Sequence, residues 1–107
     1  MRKGWGYGKN YLSAGERLYN SSIKIIDDDK MTVYKGTVIH MCYIDVEIIM
    51  FKNSNIKRVR MRYQGDNTLS KIYDVSHCKS KKVICKYIDD VLLDKYFDEA
   101  YGIKLLI

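Results

Sequence analysis

The segment YIDVEIIMF (residues 43–51), followed by the turn KNSN (52–55) and IKRVRMRY (56–63), decides the fold. In its first part Ile44, Val46, Ile48 and Met50 alternate with Tyr43, Asp45, Glu47, Ile49 and Phe51; in its last, Val59, Met61 and Tyr63 alternate with Arg58, Arg60 and Arg62. A period of two, rich in β-branched residues, is that of a strand with one buried face. The register follows too, because a slip of one residue would set the apolar face of one strand against the arginines of the other. Phe51 is expected opposite Ile56, Ile48 opposite Val59, Val46 opposite Met61 and Ile44 opposite Tyr63. That register also sets Glu47 beside Arg60 and Asp45 beside Arg62, the cross-strand charge pairing that sheets prefer. Arg58, opposite Ile49, is the least compensated of the three.

Around this hairpin the pattern predicts an antiparallel meander. Upstream, Ser13 and Glu16 have capping-box spacing, and a short helix from Ala14 to about Tyr19 follows, although Gly15 weakens it. Residues 22–26 read as a strand, ended by a turn at Asp27-Asp28-Asp29-Lys30. Residues 31–41 form another, with Gly36 marking a bulge or a break into two shorter strands. Downstream, Gln64-Gly65-Asp66-Asn67 is a two-residue turn signal, and pairing through it sets Val59 against Ile72 in a strand from Thr68 to Val75. Residues 77–82 read as a basic loop and 83–88 as a further strand. With Asp89 as N-cap, Leu92, Leu93, Tyr96, Phe97 and Ala100 share one arc of a helix over 90–101, beside an acidic line of Asp90, Asp94 and Asp98. Gly102 takes the C′ position, and an apolar tail, 103–107, follows. The expected fold class is α+β: a meander of about five to six strands, a carboxy-terminal helix on one face and a short amino-terminal helix, in one domain spanning 1–107.

Composition bounds the class. The chain has 107 residues, 47% hydrophobic and 30% charged, as in a globular domain able to bury its own core. Its ten tyrosines suit both a small core and a contact surface. The three cysteines, Cys42, Cys78 and Cys85, cannot all pair within one chain, and no apolar signal segment precedes them, so reduced thiols in a cytoplasmic compartment are expected. The apolar runs are too short to span a bilayer.

The net charge of +6 is uneven, with ten basic and two acidic side chains between residues 52 and 86 and an acidic end after them. Lys57, Arg58, Arg60, Arg62, Lys71, Lys79, Lys81, Lys82 and Lys86 make one positive surface if the meander brings strand and loop together. Such a surface attracts phosphates, and nearby tyrosines stack on unpaired bases. The opposing explanation is a solvated strand face already neutralised by Asp45 and Glu47. The opening interleaves Gly4, Gly6 and Gly8 with Trp5 and Tyr7, so residues 1–11 are expected to form a flexible or partner-wrapping arm with those two aromatics as anchors. No strand precedes them, which excludes a phosphate-cradling glycine loop.

His40, Cys42, His77, Cys78 and Cys85 supply metal-ligand chemistry without ligand spacing, so no metal or other cofactor is expected. No reaction-specific arrangement of nucleophile, base or paired carboxylates stands out, and no catalytic residue is expected. Gly6-Tyr7-Gly8-Lys9-Asn10-Tyr11-Leu12-Ser13, followed by Tyr19, resembles the glycine-tyrosine-glycine opening of small phage-encoded proteins, some of them anti-CRISPR inhibitors of Cas nucleases. The resemblance implies a non-enzymatic inhibitor, working in the host cytoplasm, that occupies a Cas effector or its guide RNA. Many such inhibitors are acidic mimics of DNA, whereas this chain is basic, so binding through the basic strand and loop, to the guide RNA or to an acidic protein surface, is expected. The alternative is a small nucleic-acid-binding module, and a metal- or thiol-dependent enzyme stands third.

Overall fold

The computed structural model describes residues 12–40, 42–64 and 67–102. The amino-terminal arm, residues 65 and 66 of the expected turn, and the tail 103–107 lie outside the described residues. Five strands, β1 (Ile23–Asp27), β2 (Met31–Ile39), β3 (Tyr43–Phe51), β4 (Lys57–Tyr63) and β5 (Lys71–Asp74), form one antiparallel sheet in the order β1-β2-β3-β4-β5. Helix α1 (Ala14–Ser21) precedes them. Helix α2 starts at Lys81–Tyr87 and runs on through Ile88–Leu92, Leu93–Phe97 and Asp98–Gly102. The protein is 22 Å across its thinnest dimension, which leaves room for a sheet and one layer of helix. Among the described residues the sheet therefore has a covered face and an open one.

The β3–β4 register is the expected one throughout: Ile48 faces Val59, Val46 faces Met61 and Ile44 faces Tyr63. The apolar sides of both strands point to the helices, and Ile44, Val46, Ile48, Val59 and Met61 are buried. β2 runs unbroken through Gly36, with neither bulge nor interruption. Glycine there leaves room for α1: a Cβ would lie 2.7 Å from Cδ1 of Leu18, the buried leucine that α1 lays on the sheet, and that side chain would have to shift.

The β4–β5 pairing differs by one residue from the expected one. Val59 faces Tyr73, Arg60 faces Ile72 and Arg58 faces Asp74. The expected register would have opposed Arg60 to Lys71 and turned Ile72 inward. The observed one buries the Tyr73 ring, lets its hydroxyl donate to Glu99 at 2.8 Å, and gives Arg58 an acidic neighbour. β5 is also shorter than expected, because Asn67–Leu69 form a 3-10 turn.

The larger correction concerns residues 83–88, which are helical rather than a strand. Ser80, not Asp89, is the N-cap, its hydroxyl accepting from the Val83 amide at 3.3 Å. On an ideal wheel the apolar residues scatter, because Ile84, Ile88, Leu92, Tyr96 and Ala100 recur every four positions and drift by about 40° per step. Two π-helical turns, at Ile88–Leu92 and Asp98–Gly102, widen the helix and offset that drift. All five residues are consequently buried in one stripe against the sheet, while Val83 and Val91 are exposed. The helix continues through Gly102, which is not a C′ residue.

Ser13 and Glu16 form the expected reciprocal cap on α1, with Ser13 N donating to Glu16 Oε1 at 3.1 Å and Glu16 N to Ser13 Oγ at 3.2 Å. α1 crosses α2 at Gly15, where a Cβ would lie 2.6 Å from the Cys85 carbonyl oxygen. Tyr96, fully buried, ties α2 to the sheet end: its hydroxyl donates to the Leu69 carbonyl at 2.6 Å and accepts from the Tyr63 amide at 2.8 Å.

Two substitutions test this packing. Gly15→Ala is expected to destabilise the protein, since forcing the helices apart costs about 1–3 kcal/mol and exceeds the roughly 0.5–1 kcal/mol gained in helix propensity. Tyr96→Phe should lose about 1–3 kcal/mol by leaving two part-buried backbone groups, the Tyr63 amide and the Leu69 carbonyl, without this partner. Urea midpoints at neutral pH check both.

Candidate interaction surface

The open face is laid out in cross-strand rows. Across β1 to β5, one row reads Ile23, Lys35, Glu47, Arg60, Ile72, and the next reads Ile26, Val33, Ile49, Arg58, Asp74. A third places Asp45 between Thr37 and Arg62. The centre of the face is thus charged, and isoleucines stand at its margins.

The charges are largely compensated by one another. Arg60 donates through Nε to Glu47 Oε1 at 3.0 Å and through its terminal nitrogen to the same oxygen. Arg62 pairs with Asp45 Oδ2 at 2.7 Å, and Gln64 and Thr37 donate to the other Asp45 oxygen. These donors hold the Asp45 carboxyl below its ordinary range, although burial opposes them as the largest single influence. Arg58 lies 5.6 Å from the centre of the Phe51 ring and faces Asp74 in register. Asp74 is likewise lowered, chiefly by the Ser76 amide and hydroxyl and to a smaller degree by Arg58. Each arginine of the comb therefore has a carboxylate beside it.

The remaining basic residues sit elsewhere. Lys57 and Lys71 face Met50 and Met61 and lie on the helix side of the sheet, at its margin. Lys79 is in the loop before α2, and Lys81 and Lys82 open that helix. Lys81 is held over two tyrosine rings, 4.1 Å from the centre of Tyr34 and 5.0 Å from that of Tyr19, in a pocket whose burial depresses its amine. Lys86 pairs with Asp90 at 2.8 Å. The arginines and the helix lysines thus occupy opposite layers and do not merge into one positive surface. Trp5 and Tyr7 lie outside the described residues.

The thiols and imidazoles are dispersed as well. Cys78 and Cys85 are buried, and burial pushes the Cys85 thiol up to about 11. The His77 ring packs edge-on to Tyr87 and His40 to Phe97. Among the described residues no three histidines, cysteines or acids gather as a metal site would require, and no helix is long and apolar enough to cross a membrane.

Sequence reasoning overlooked the apolar corner at β1. A bulge between Lys24 and Ile26 breaks the alternation, so Ile26 faces Val33 on the open side, where Ile23 and Ile25 already line a groove. A bulge of this kind re-aims a side chain across the sheet. All five β1 residues are exposed, with Ile23 at 67%, Ile25 at 49% and Ile26 at 40%. Ile72, at 63%, and Ile39, at 61%, stand at the other margins. Ile25-Ile26 inside an otherwise alternating strand was the signal that could have revealed this.

β1 is held in place by Asp27, which accepts from Lys52 at 2.7 Å, Lys24 at 3.3 Å and Thr32 at 3.1 Å. Lys52 foremost, then Lys24, brings the Asp27 carboxyl down to about 2. No family model, curated protein or solved structure matches the chain.

A depressed carboxyl stabilises the fold above its unfolded value, and that contribution is lost as pH falls toward the folded one. Urea midpoints of the wild type should fall between about pH 4 and pH 2 more steeply than those of Asp27→Asn, whose curve lacks this contribution. Parallel curves would mean that the Asp27 cluster does not tie β1 down.

Proposed function

We propose that this chain is a non-enzymatic interaction protein that binds another protein through the open face of its sheet. The observation that carries this reading is the pairing of exposed isoleucines with an internally compensated charge array. An exposed apolar patch on a compact domain is characteristic of a protein contact. A phosphate-binding face would instead hold its arginines clear of carboxylates. The narrowest form rests on the amino-terminal resemblance: a phage-type inhibitor that occupies a Cas nuclease or its guide RNA and works by steric exclusion. The start of α2, where Lys79 and Lys82 are exposed, favours the second reading, a module that touches nucleic acid directly.

Fluorescence anisotropy with labelled generic RNA and duplex DNA separates the two. The wild type is expected to bind weakly even at low salt, and Asp45→Asn with Glu47→Gln should raise RNA affinity about tenfold or more by releasing two arginines toward phosphates. Tight wild-type binding that collapses as salt rises would overturn the protein-contact reading. For the inhibitor form, a stoichiometric amount of the chain should suppress cleavage by a guide-loaded Cas nuclease, and Ile23→Asp with Ile72→Asp should relieve that suppression at least tenfold while leaving the urea midpoint nearly unchanged.

A further inference from the structure

Among the described residues, two grooves of the open face share one residue. A groove of about 400 Å³ along β1 and β2 is lined by Ser21, Ile23, Ile25, Lys35, Gly36 and Thr37. Beside it, a charged groove of about 350 Å³ is lined by Asp45, Glu47, Arg60 and Arg62, and Lys35 borders this one too. Lys35 is therefore the ridge between an apolar depression and an ion-pair strip.

Lys35 faces Glu47 in register, yet both Arg60 contacts go to Glu47 Oε1, and among the described residues Lys35 forms no ion pair. From β1 to β4 the face reads apolar, cation, anion, cation. A surface ammonium beside an apolar depression is satisfied by a partner that brings a carboxylate next to an apolar side chain, because the contact adds a charge-assisted hydrogen bond as the partner's apolar group leaves water.

We infer that the β1–β2 groove is an anchor site for an acidic, apolar segment of a partner protein. An aliphatic or aromatic side chain of that segment seats between Ile23, Ile25 and Thr37, and an adjacent carboxylate bonds Lys35. This rests on the open-face reading above and names the chemistry of the partner. Backbone strand addition along β1 is not the mode, since the bulge at Ile25 interrupts the regular edge that such pairing needs. A second copy of this chain is a poorer occupant. β1 carries its own acid, Asp27, opposite Thr32, on the other face of the sheet from its isoleucines and tied to Lys24 and Lys52.

The test uses the full chain as bait against a displayed library of random twelve-residue peptides. Enriched peptides are expected to share an apolar residue within a few positions of Asp or Glu. A synthetic copy of the best one should bind the wild type, lose at least tenfold on Ile25→Asp, and lose at least tenfold on Lys35→Glu. Selection repeated on Lys35→Glu should enrich Lys or Arg at the former acidic position. Circular dichroism and urea midpoints confirm that both variants, altered at exposed positions, remain folded.

No enrichment, or enriched peptides without acids, would overturn the anchor site. Binding that survives Ile25→Asp and Lys35→Glu but fails on Ile72→Asp would overturn it while leaving the open-face reading intact. Binding indifferent to all three would remove both. A dimer seen by light scattering and abolished by Lys35→Glu would assign the groove to a second copy instead.

Discussion

The register between β3 and β4 is the constraint on which the rest depends. It sends Ile44, Val46, Ile48, Val59 and Met61 into one core and sets Glu47 beside Arg60 and Asp45 beside Arg62 on the opposite face. Burial of the aliphatic face supplies the stabilisation, at about 1.5–3 kcal/mol for each fully buried side chain. The exposed ion pairs add at most about 1 kcal/mol apiece, so their larger effect is on alternatives. A one-residue slip would bury arginines and strand two carboxylates, which makes the hairpin a template for β2 on one side and β5 on the other.

From that template the covered layer follows by matching. The core takes apolar residues along one side of the helix, and α2 supplies them every four positions, a spacing that an unmodified α-helix cannot keep in line. The π-helical turns at Ile88–Leu92 and Asp98–Gly102 reconcile the two, and Tyr96 fixes the helix to the sheet end through two backbone groups. Close approach at Gly15 and Gly36 then lets α1 reach both α2 and β2.

The open layer has a different logic. Its arginines are matched within the sheet, so the basic bias of the middle of the chain does not become a strong positive surface there. What the face offers outward is apolar: the three isoleucines that the β1 bulge gathers on one side, with Lys35 between them and the ion pairs. In the proposed contact, a charged centre that is already satisfied would add little affinity but penalise partners of the wrong pattern, and the apolar margin would provide the area removed from water.

Taken alone, the chain determined its hairpin, the order of its five strands, the α1 cap and the pairing of Arg60 and Arg62 with acids, because these depend on contacts between near neighbours and on a period of two. Three matters were decided only by tertiary contact. The β4–β5 register turned on whether Tyr73 or Ile72 would be buried, and the site for the Tyr73 hydroxyl is Glu99, on the far end of α2. Residues 83–88 are helix, capped by Ser80, with Ile84, Cys85 and Ile88 buried in the core shared with the sheet, a contact that strand-like local composition could not anticipate. The candidate site was the least legible of all: the bulge that turns Ile26 toward Ile23 and Ile25 is set by how β1 must pair with β2, and a side chain's face is a property of that pairing rather than of its place in the sequence.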